Sequence, residues 1–487
     1  MGFRRRSIIA GYVLRSAALW IAVLVCVSSW AQAGKLQQQI DQFLADPNLK
    51  HGVQAVLVKS LRTGKTLYER CADVAMIPAS NMKLLVSAVA LDRLGPEFVY
   101  TTKVFACAPV SSQGVVEGSI ALVGGGDPVL ETKDLAEIAK EMKVKGIKKV
   151  AGDLIVDDSF FDDHRLGTGW TWDDLCYYYS AEVSALNLNR NVVSVWIYPG
   201  KKPGDPALVR FEPATSCLRV ESIPITGEAN SEKTVWVDRV LGTNVIRAGG
   251  SIPVGTKVSA PETLVTVHEP ALYAGDVFKN ELHKQGISVK GEVRQGRVSS
   301  GATLLCEHIS PPLPKILQLL NKPSDNLIAE ALLKTLGARV KGNGSVESGR
   351  QVEIEFLTQR GVDMSGIYIA DGSGLSRLNC VTARSLVELL SCMYQHPHAH
   401  AFIDSLPIAG VDGTLKNRMK GTSAEGNVRA KTGYLSRVSS LSGYLTTKSG
   451  EPLVFSILMN NHLCSNTSAI TVQNNICAAL ADLCAEP

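Results

Sequence analysis

The chain is short of several features that would place a protein quickly. Its 11 cysteines contain no C-x-x-C pair, so the usual spacing of a structural zinc site or a thioredoxin-like redox centre is missing. Neither sign of charge dominates: 50 Lys and Arg stand against 46 Asp and Glu, a net charge of +4 in 487 residues. Past the first six residues no basic run or basic helix face forms, which excludes the electrostatic footprint of a nucleic-acid binder. Beyond residue 33 no segment could cross a membrane. Gly124-Gly125-Gly126 lacks the Lys-Ser/Thr that completes a phosphate loop and reads as a tight structural turn. The acidic cluster of Asp153, Asp157, Asp158, Asp162, Asp163 and His164 matches no EF-hand spacing and reads as a solvated turn. His396, His398 and His400 have no regular element to fix them as ligands and read as surface residues. No metal and no cofactor is expected.

What is present describes a globular protein, with 45% apolar and 20% charged residues and enough length for two or three domains. Arg4, Arg5, Arg6 and Arg15 precede an apolar stretch from Ser16 to Trp30, and Ala31-Gln32-Ala33 offers a small-x-small cleavage site. Residues 1–33 therefore read as a secretory signal peptide, implying export to the periplasm without a stable membrane anchor. Val25 is too bulky to make Cys26 a lipidation site. The ten remaining cysteines, an even number in an exported chain, predict some disulfides of open connectivity.

The hydrophobic pattern divides the mature chain. A short helix from Leu36 to Leu44, a strand Gly52–Ser60, a turn at Thr63-Gly64-Lys65 and a second strand through Leu67 and Tyr68 open it. After Gly95 the strands shorten and glycine increases until about residue 308. Within that region helices are predicted from Lys133 to Lys145 and from Ala271 to Gly286, and strands over Gly152–Asp157 and Ile287–Val293. Val192–Tyr198, Cys217–Ile223 and Thr234–Val240 alternate like a small all-β module. Helices resume at Leu313–Leu320, two strands follow over Val438–Leu445 and Leu453–Met459, and Ala469–Cys484 closes as a helix. The expected class is α/β (α+β): residues 34–96 and 309–487 form one domain. Residues 97–190 with 263–308 form an inserted α/β domain, and 191–262 an inserted β-rich one.

Three short stretches carry chemistry. Pro78 opens an apolar helix in which Leu84, Leu85, Ala88, Leu91 and Leu94 recur at helical spacing before Gly95-Pro96 ends it. Ser80 and Lys83, three apart, share a face at its N-terminal end. A serine hydroxyl becomes a nucleophile when a neighbouring base takes its proton, and a lysine does so when desolvation or positive charge lowers its pKa. Ser324-Asp325-Asn326 begins another helix, and Lys431-Thr432-Gly433 precedes a β-rich run.

S-x-x-K, S-D-N and K-T-G in this order resemble the signature shared by class A β-lactamases and penicillin-binding proteins. Pro78–Leu85, Gly124–Pro128, Ser324–Glu330, Asp371–Asn379, Leu406–Leu415 and Lys431–Gly433 resemble, in order, blocks of the low-molecular-mass penicillin-binding proteins of the D-alanyl-D-alanine carboxypeptidase/endopeptidase family (class C type). The long insertion between Lys83 and Ser324 resembles that family too. The resemblance implies a β-lactamase/DD-transpeptidase-like domain, an antiparallel sheet flanked by helices and interrupted by two smaller domains. It implies that Ser80 attacks the penultimate D-alanine carbonyl of peptidoglycan stem peptides, with Lys83 as base. Ser324, with Lys83, would pass the proton to the leaving amine, and Asn326 would hydrogen-bond the substrate amide. Lys431, Thr432 and Gly433 would form the carboxylate-binding strand, Lys431 also keeping Lys83 neutral by repulsion, and the N–H groups of Ser80 and Tyr434 the oxyanion hole. Tyr434 departs from the family's small hydroxyl residue. Arg377 and Asp157 match positions used for the end of a diaminopimelate side chain. β-Lactams would be covalent inhibitors. The rival readings are a β-lactamase and a non-catalytic peptidoglycan-binding protein.

Overall fold

The computed structural model describes residues 34–484, so the expected signal peptide lies outside the described residues. Both chain ends build one antiparallel sheet of five strands in the order Arg429–Leu435, Val438–Thr446, Pro452–Asn460, Val53–Ser60, Thr66–Arg70. The two middle strands from the C-terminal end are buried almost throughout, because helices cover both faces of the sheet. Side chains alternate accordingly. Ala55 and Leu57 join the core beneath one face, and Val56 and Val58 the core beneath the other.

On the second face lie the helix of residues 34–44, through Leu36, Ile40 and Leu44, and the closing helix Asn466–Ala481, through Val472, Ile476 and Leu480. The first face carries the all-helical middle of the chain, including Leu313–Asn321, Asn326–Leu336, Val346–Gln359 and Ala383–Tyr394, packed around the helix Lys83–Leu94. That central helix is apolar all round, and Lys83 through Leu91 are all buried. Each Leu or Val so enclosed contributes about 1.5–3 kcal/mol over its exposed state. Gly95, at φ 80°, ends the helix as its sequence predicts.

Residues 97–308 leave and return at one place: the entry strand Thr101–Ala106 pairs antiparallel with the exit strand Thr303–Ile309. These edge a second five-stranded sheet whose other strands, Ile120–Gly124, Leu154–Asp157 and Val293–Gln295, run parallel to one another. The helices Thr132–Val144 and Pro270–Lys284 pack with them. The alternating runs near 192–266 form three small sheets. Val193, Val195, Ile197 and Ile246 from these sheets share one apolar cluster with Leu122, Leu154 and Val156. We propose that the two inserted stretches are two lobes on a common core, because neither excludes water from its own apolar face without the other.

Three expectations are corrected. All ten cysteines of the described residues are free thiols, Cys306 and Cys477 being buried as small apolar groups. The strand expected over Ile287–Val293 is split into Ser288–Val289 and Val293–Gln295, since Gly291 lies so close to Gly152 and Asp153 that a Cβ there would be 2.1 Å from the Asp153 carboxylate. His396 is no surface residue, because its Nε2 lies 3.2 Å from Asp92 and its side chain is only 6% exposed.

In the helical layer Glu353 is fully enclosed, and neither of its carboxyl oxygens has a hydrogen-bond partner among the described residues. Burial, reinforced by the charges of Glu330 and Asp371, pushes its pKa well above the usual carboxylate value and holds it neutral. Unfolding releases that acid to ionise, so its contribution falls as pH rises above the unfolded value of about 4.5. Glu353→Met is expected to stabilise the protein by about 1–3 kcal/mol at pH 7 and by less at pH 4, as read from thermal unfolding at the two pH values.

Candidate active site

Ser80 does not begin an α-helix as its sequence suggests. It sits on a 3₁₀ turn, Ala79–Met82, that leads into the helix starting at Lys83. In a 3₁₀ turn side chains three apart eclipse one another, which brings Lys83 Nζ to 3.0 Å from Ser80 Oγ. Ala79 is held in the left-handed region at φ 48°. Two glycines make room for this turn. A Cβ on Gly374 would lie 1.8 Å from the Ala79 carbonyl oxygen, and one on Gly433 would lie 2.7 Å from that of Pro78. The Ser440 hydroxyl donates to the Pro78 carbonyl at 2.7 Å, and Asn81 Nδ2 donates to the Lys431 carbonyl at 3.1 Å. The K-T-G strand, its neighbour and the glycine loop thus all pack against the turn that carries Ser80.

Lys83 is completely buried. Besides Ser80, its Nζ has two acceptors, Asn326 Oδ1 at 2.7 Å and the Ser373 carbonyl at 2.5 Å. A neutral amine has two N–H donors and one lone pair. Two carbonyl-type acceptors use the donors, and the lone pair is left facing the Ser80 hydroxyl. Burial lowers the Lys83 pKa to about 8, against the opposing fields of Asp371, Glu330 and Asp325. Lys431 is also fully buried, and its Nζ donates to Ser324 Oγ at 2.8 Å and to the Thr432 carbonyl at 3.0 Å. Burial and the nearby Lys83 push its pKa well below the usual lysine value. Two amines share this desolvated space, and their mutual repulsion favours one charge between them.

The other members of the trio arrive by strained or capped backbone. Ser324 lies at φ 68°, and Asp325 caps the following helix by accepting from Ile328 N at 3.0 Å. Beneath them, Glu330 accepts from the N–H groups of Gly372 and Ser373, and burial raises its pKa to about 7. Asp371 accepts from Gly374 N and Ser376 N at 2.7 Å each and from Trp170 Nε1 at 2.9 Å. These bonds fix the loop that presents the Ser373 carbonyl to Lys83.

A cleft of about 640 Å³ opens above, with Ser80, Ser324, Asn326, Thr432, Tyr434 and Arg377 in its walls. Tyr434 is 60% exposed at its mouth, and Gly433 is buried behind it. Arg377 also donates to the Ser436 carbonyl at 2.7 Å. Asp157 is not among the lining residues. Its two oxygens accept from Ser159 N and Val298 N, and the side chain is buried as a turn-forming group. The lining also includes residues that motif reading missed: Asp174, Tyr178 and Tyr179. The Tyr179 carbonyl accepts from Asn326 Nδ2 at 2.7 Å, and its hydroxyl donates to Asp174 Oδ1 at 2.7 Å. Their only sequence signal is a dense run of aromatic and acidic residues from Trp170 to Tyr179 without periodicity.

Gly374→Ala is expected to destabilise the fold by on the order of 1–3 kcal/mol, because the added methyl meets backbone that cannot withdraw and the φ of 82° disfavours it. Denaturant unfolding measures this.

The family model for the D-Ala-D-Ala carboxypeptidase 3 (S13) family matches residues 36–483. A D-alanyl-D-alanine carboxypeptidase of an Actinomadura species is 40% identical over 470 residues, covering 93% of this chain and 86% of that protein. The carboxypeptidase DacB of Haemophilus influenzae is 28% identical, covering 83% of this chain and 85% of its own. The crystal structure of penicillin-binding protein 4 from that organism superposes with a TM-score of 0.81 at 25% identity, over 91% of this chain and 99% of that one. With a match that spans nearly all the described residues, the chain belongs to the D-Ala-D-Ala carboxypeptidase 3 (S13) family.

Proposed function

We propose that this chain is an exported, periplasmic serine peptidase that hydrolyses the D-Ala-D-Ala terminus of peptidoglycan stem peptides, and D-Ala–diaminopimelate cross-links, through a Ser80 acyl-enzyme. The observation that carries the reading is the 3.0 Å contact between Ser80 Oγ and the buried Lys83 amine, whose other neighbours are both acceptors. Lys83 takes the Ser80 proton as the oxygen attacks the carbonyl of the penultimate D-alanine. The oxyanion forms against the N–H groups of Ser80 and Tyr434. The proton taken by Lys83 passes by way of the Ser324 hydroxyl, which Lys431 holds in place, to the departing amine, so that Lys83 is neutral again. Water then hydrolyses the ester by the same route in reverse.

Charge bookkeeping supports these roles. A substrate carboxylate beside Lys431 and Thr432 stabilises a proton on Lys431, and repulsion from that cation keeps Lys83 neutral. The lining of the cleft also offers both signs of charge, Arg377 and Asp174, which suits a side chain ending in an amine and a carboxylate. Asp174 takes the part that the sequence had offered to Asp157. Thr171 and Tyr179 each donate to one oxygen of Asp174, and Ile328 and Arg190 to those of Asp325, so each oxygen already accepts one hydrogen bond. The Haemophilus influenzae relative has been crystallised with a β-lactam bound.

Incubation with penicillin is expected to add one intact penicillin mass to Ser80, and Ser80→Ala to remove both the adduct and D-alanine release by about a thousandfold or more. Rapid multiple turnover of the penicillin would instead support a β-lactamase. Because the Lys83 pKa is pushed down to about 8, and only its neutral form accepts a proton, the acylation rate is expected to climb with pH and level off above that value. Stopped-flow acylation between pH 6 and pH 10 reads the profile.

A further inference from the structure

Three consecutive residues of the inserted region, Asn189, Arg190 and Asn191, lie in the left-handed region at φ 50°, 60° and 55°, although none is glycine. Such a run is disfavoured at every position and persists only where its surroundings over-determine it. The flanking asparagines do that. Asn189 Oδ1 accepts from Thr132 N, and its Nδ2 donates to Thr132 Oγ1. Asn191 Oδ1 accepts from Leu188 N, and its Nδ2 donates to the Glu182 carbonyl. What this frame holds out is Arg190. Its Nε donates to Asp325 Oδ2 at 2.8 Å, and its Nη1 donates to the Pro128 carbonyl at 2.9 Å. The Gly124–Pro128 block thereby acquires a purpose. Its glycines let the chain pass within a Cβ's reach of the Ala185 and Thr101 carbonyls, and Pro128 then anchors the guanidinium.

Asp325 stands between Ser324 and Asn326, the two residues that hold the amines of Lys431 and Lys83. We propose that Arg190 is a positioning residue for catalysis: it locks the Ser324–Asn326 segment from the inserted domain and cancels the Asp325 charge that faces Lys83. The proposal rests on the assignment of Lys83 as the base. The charged groups facing Lys83 are Asp371 from the glycine loop, Glu330 from the helix Asn326–Leu336, Asp325 from its cap and Lys431 from the sheet. Arg190 itself faces Asp325 and, at longer range, the buried Asp127. Of the three carboxylates near Lys83, Asp325 is the one in an ion pair with an arginine. Loss of that arginine leaves its field to stabilise the ammonium form of Lys83.

Penicillin acylation of the full chain, measured by stopped flow from pH 6 to pH 10, tests this with five variants. Arg190→Gln is expected to slow acylation on the order of ten- to a hundredfold and to move the rising limb to higher pH. Arg190→Lys, which keeps the charge and loses the fork, is expected to slow acylation with the limb near its wild-type position. Asp325→Asn retains the helix cap and is expected to move the limb to lower pH. The double variant Arg190→Gln/Asp325→Asn is expected to bring the limb back toward wild type. A rate drop in Arg190→Gln with an unmoved limb overturns the electrostatic role, and an unchanged rate overturns the positioning role. Should Arg190→Gln fail to fold by circular dichroism, an unmoved limb in Asp325→Asn overturns the proposal instead. Lys83→Gln separates the two questions: if it is acylated at the wild-type rate, the base assignment itself fails, whatever Arg190 does.

Discussion

A lysine amine withdrawn wholly from water, with a serine hydroxyl against its lone pair, sets the terms for the rest of the structure. Lys83 could be solvated at little cost almost anywhere on the surface. Buried at the end of an apolar helix, it loses its hydration and is pushed toward the neutral form. Its surroundings fit that form. Two carbonyl oxygens use its N–H donors, and the 3₁₀ turn places Ser80 where the remaining lone pair points. The sheet, the helical layer and the glycine loop each hold one part of that arrangement.

The desolvated amine also explains why so many carboxyl groups lie beneath the site. Glu330 and Asp371 each hold several backbone N–H groups of the loop that bears Ser373, so the Ser373 carbonyl is aimed at Lys83. Their negative charges work against the effect of burial, and the Lys83 pKa settles at about 8 by that balance. Glu353 beyond them stays protonated, because a third charge in the same enclosed space has nothing to compensate it.

Residues 97–308 are tied to the rest of the chain by more than their entry and exit strands. Buried Lys334 of the helix following Asn326 pairs with Asp162, and Phe161 and Val183 pack against Leu327 and Ala331 of that helix. Trp170 reaches Asp371, Tyr179 reaches Asn326 and Arg190 reaches Asp325. Five contacts of different chemistry fasten the insertion to the segments that carry Asp325, Asn326 and Asp371. One wall of the cleft belongs to it as well.

Much of this was legible in the chain. Apolar periodicity and Gly95-Pro96 located the central helix, and the strands Val192–Tyr198 and Val438–Thr446 were read within a residue. The three motifs were found because they are short, local and chemically distinctive. What local sequence could not supply was everything made by approach from afar. The sequence offers Asp157 and says nothing of Asp174, since side-chain type alone does not say which carboxylate is spent on turn amides and which lines the cleft. An even count of cysteines suggested disulfides, but pairing depends on three-dimensional distance, and these thiols stay free. The residues themselves determined the helices, the strands and the presence of a serine, two lysines and their partners. The tertiary structure alone decided which of them lose their water and which carbonyls face them, and that is what pushes one lysine toward its neutral form.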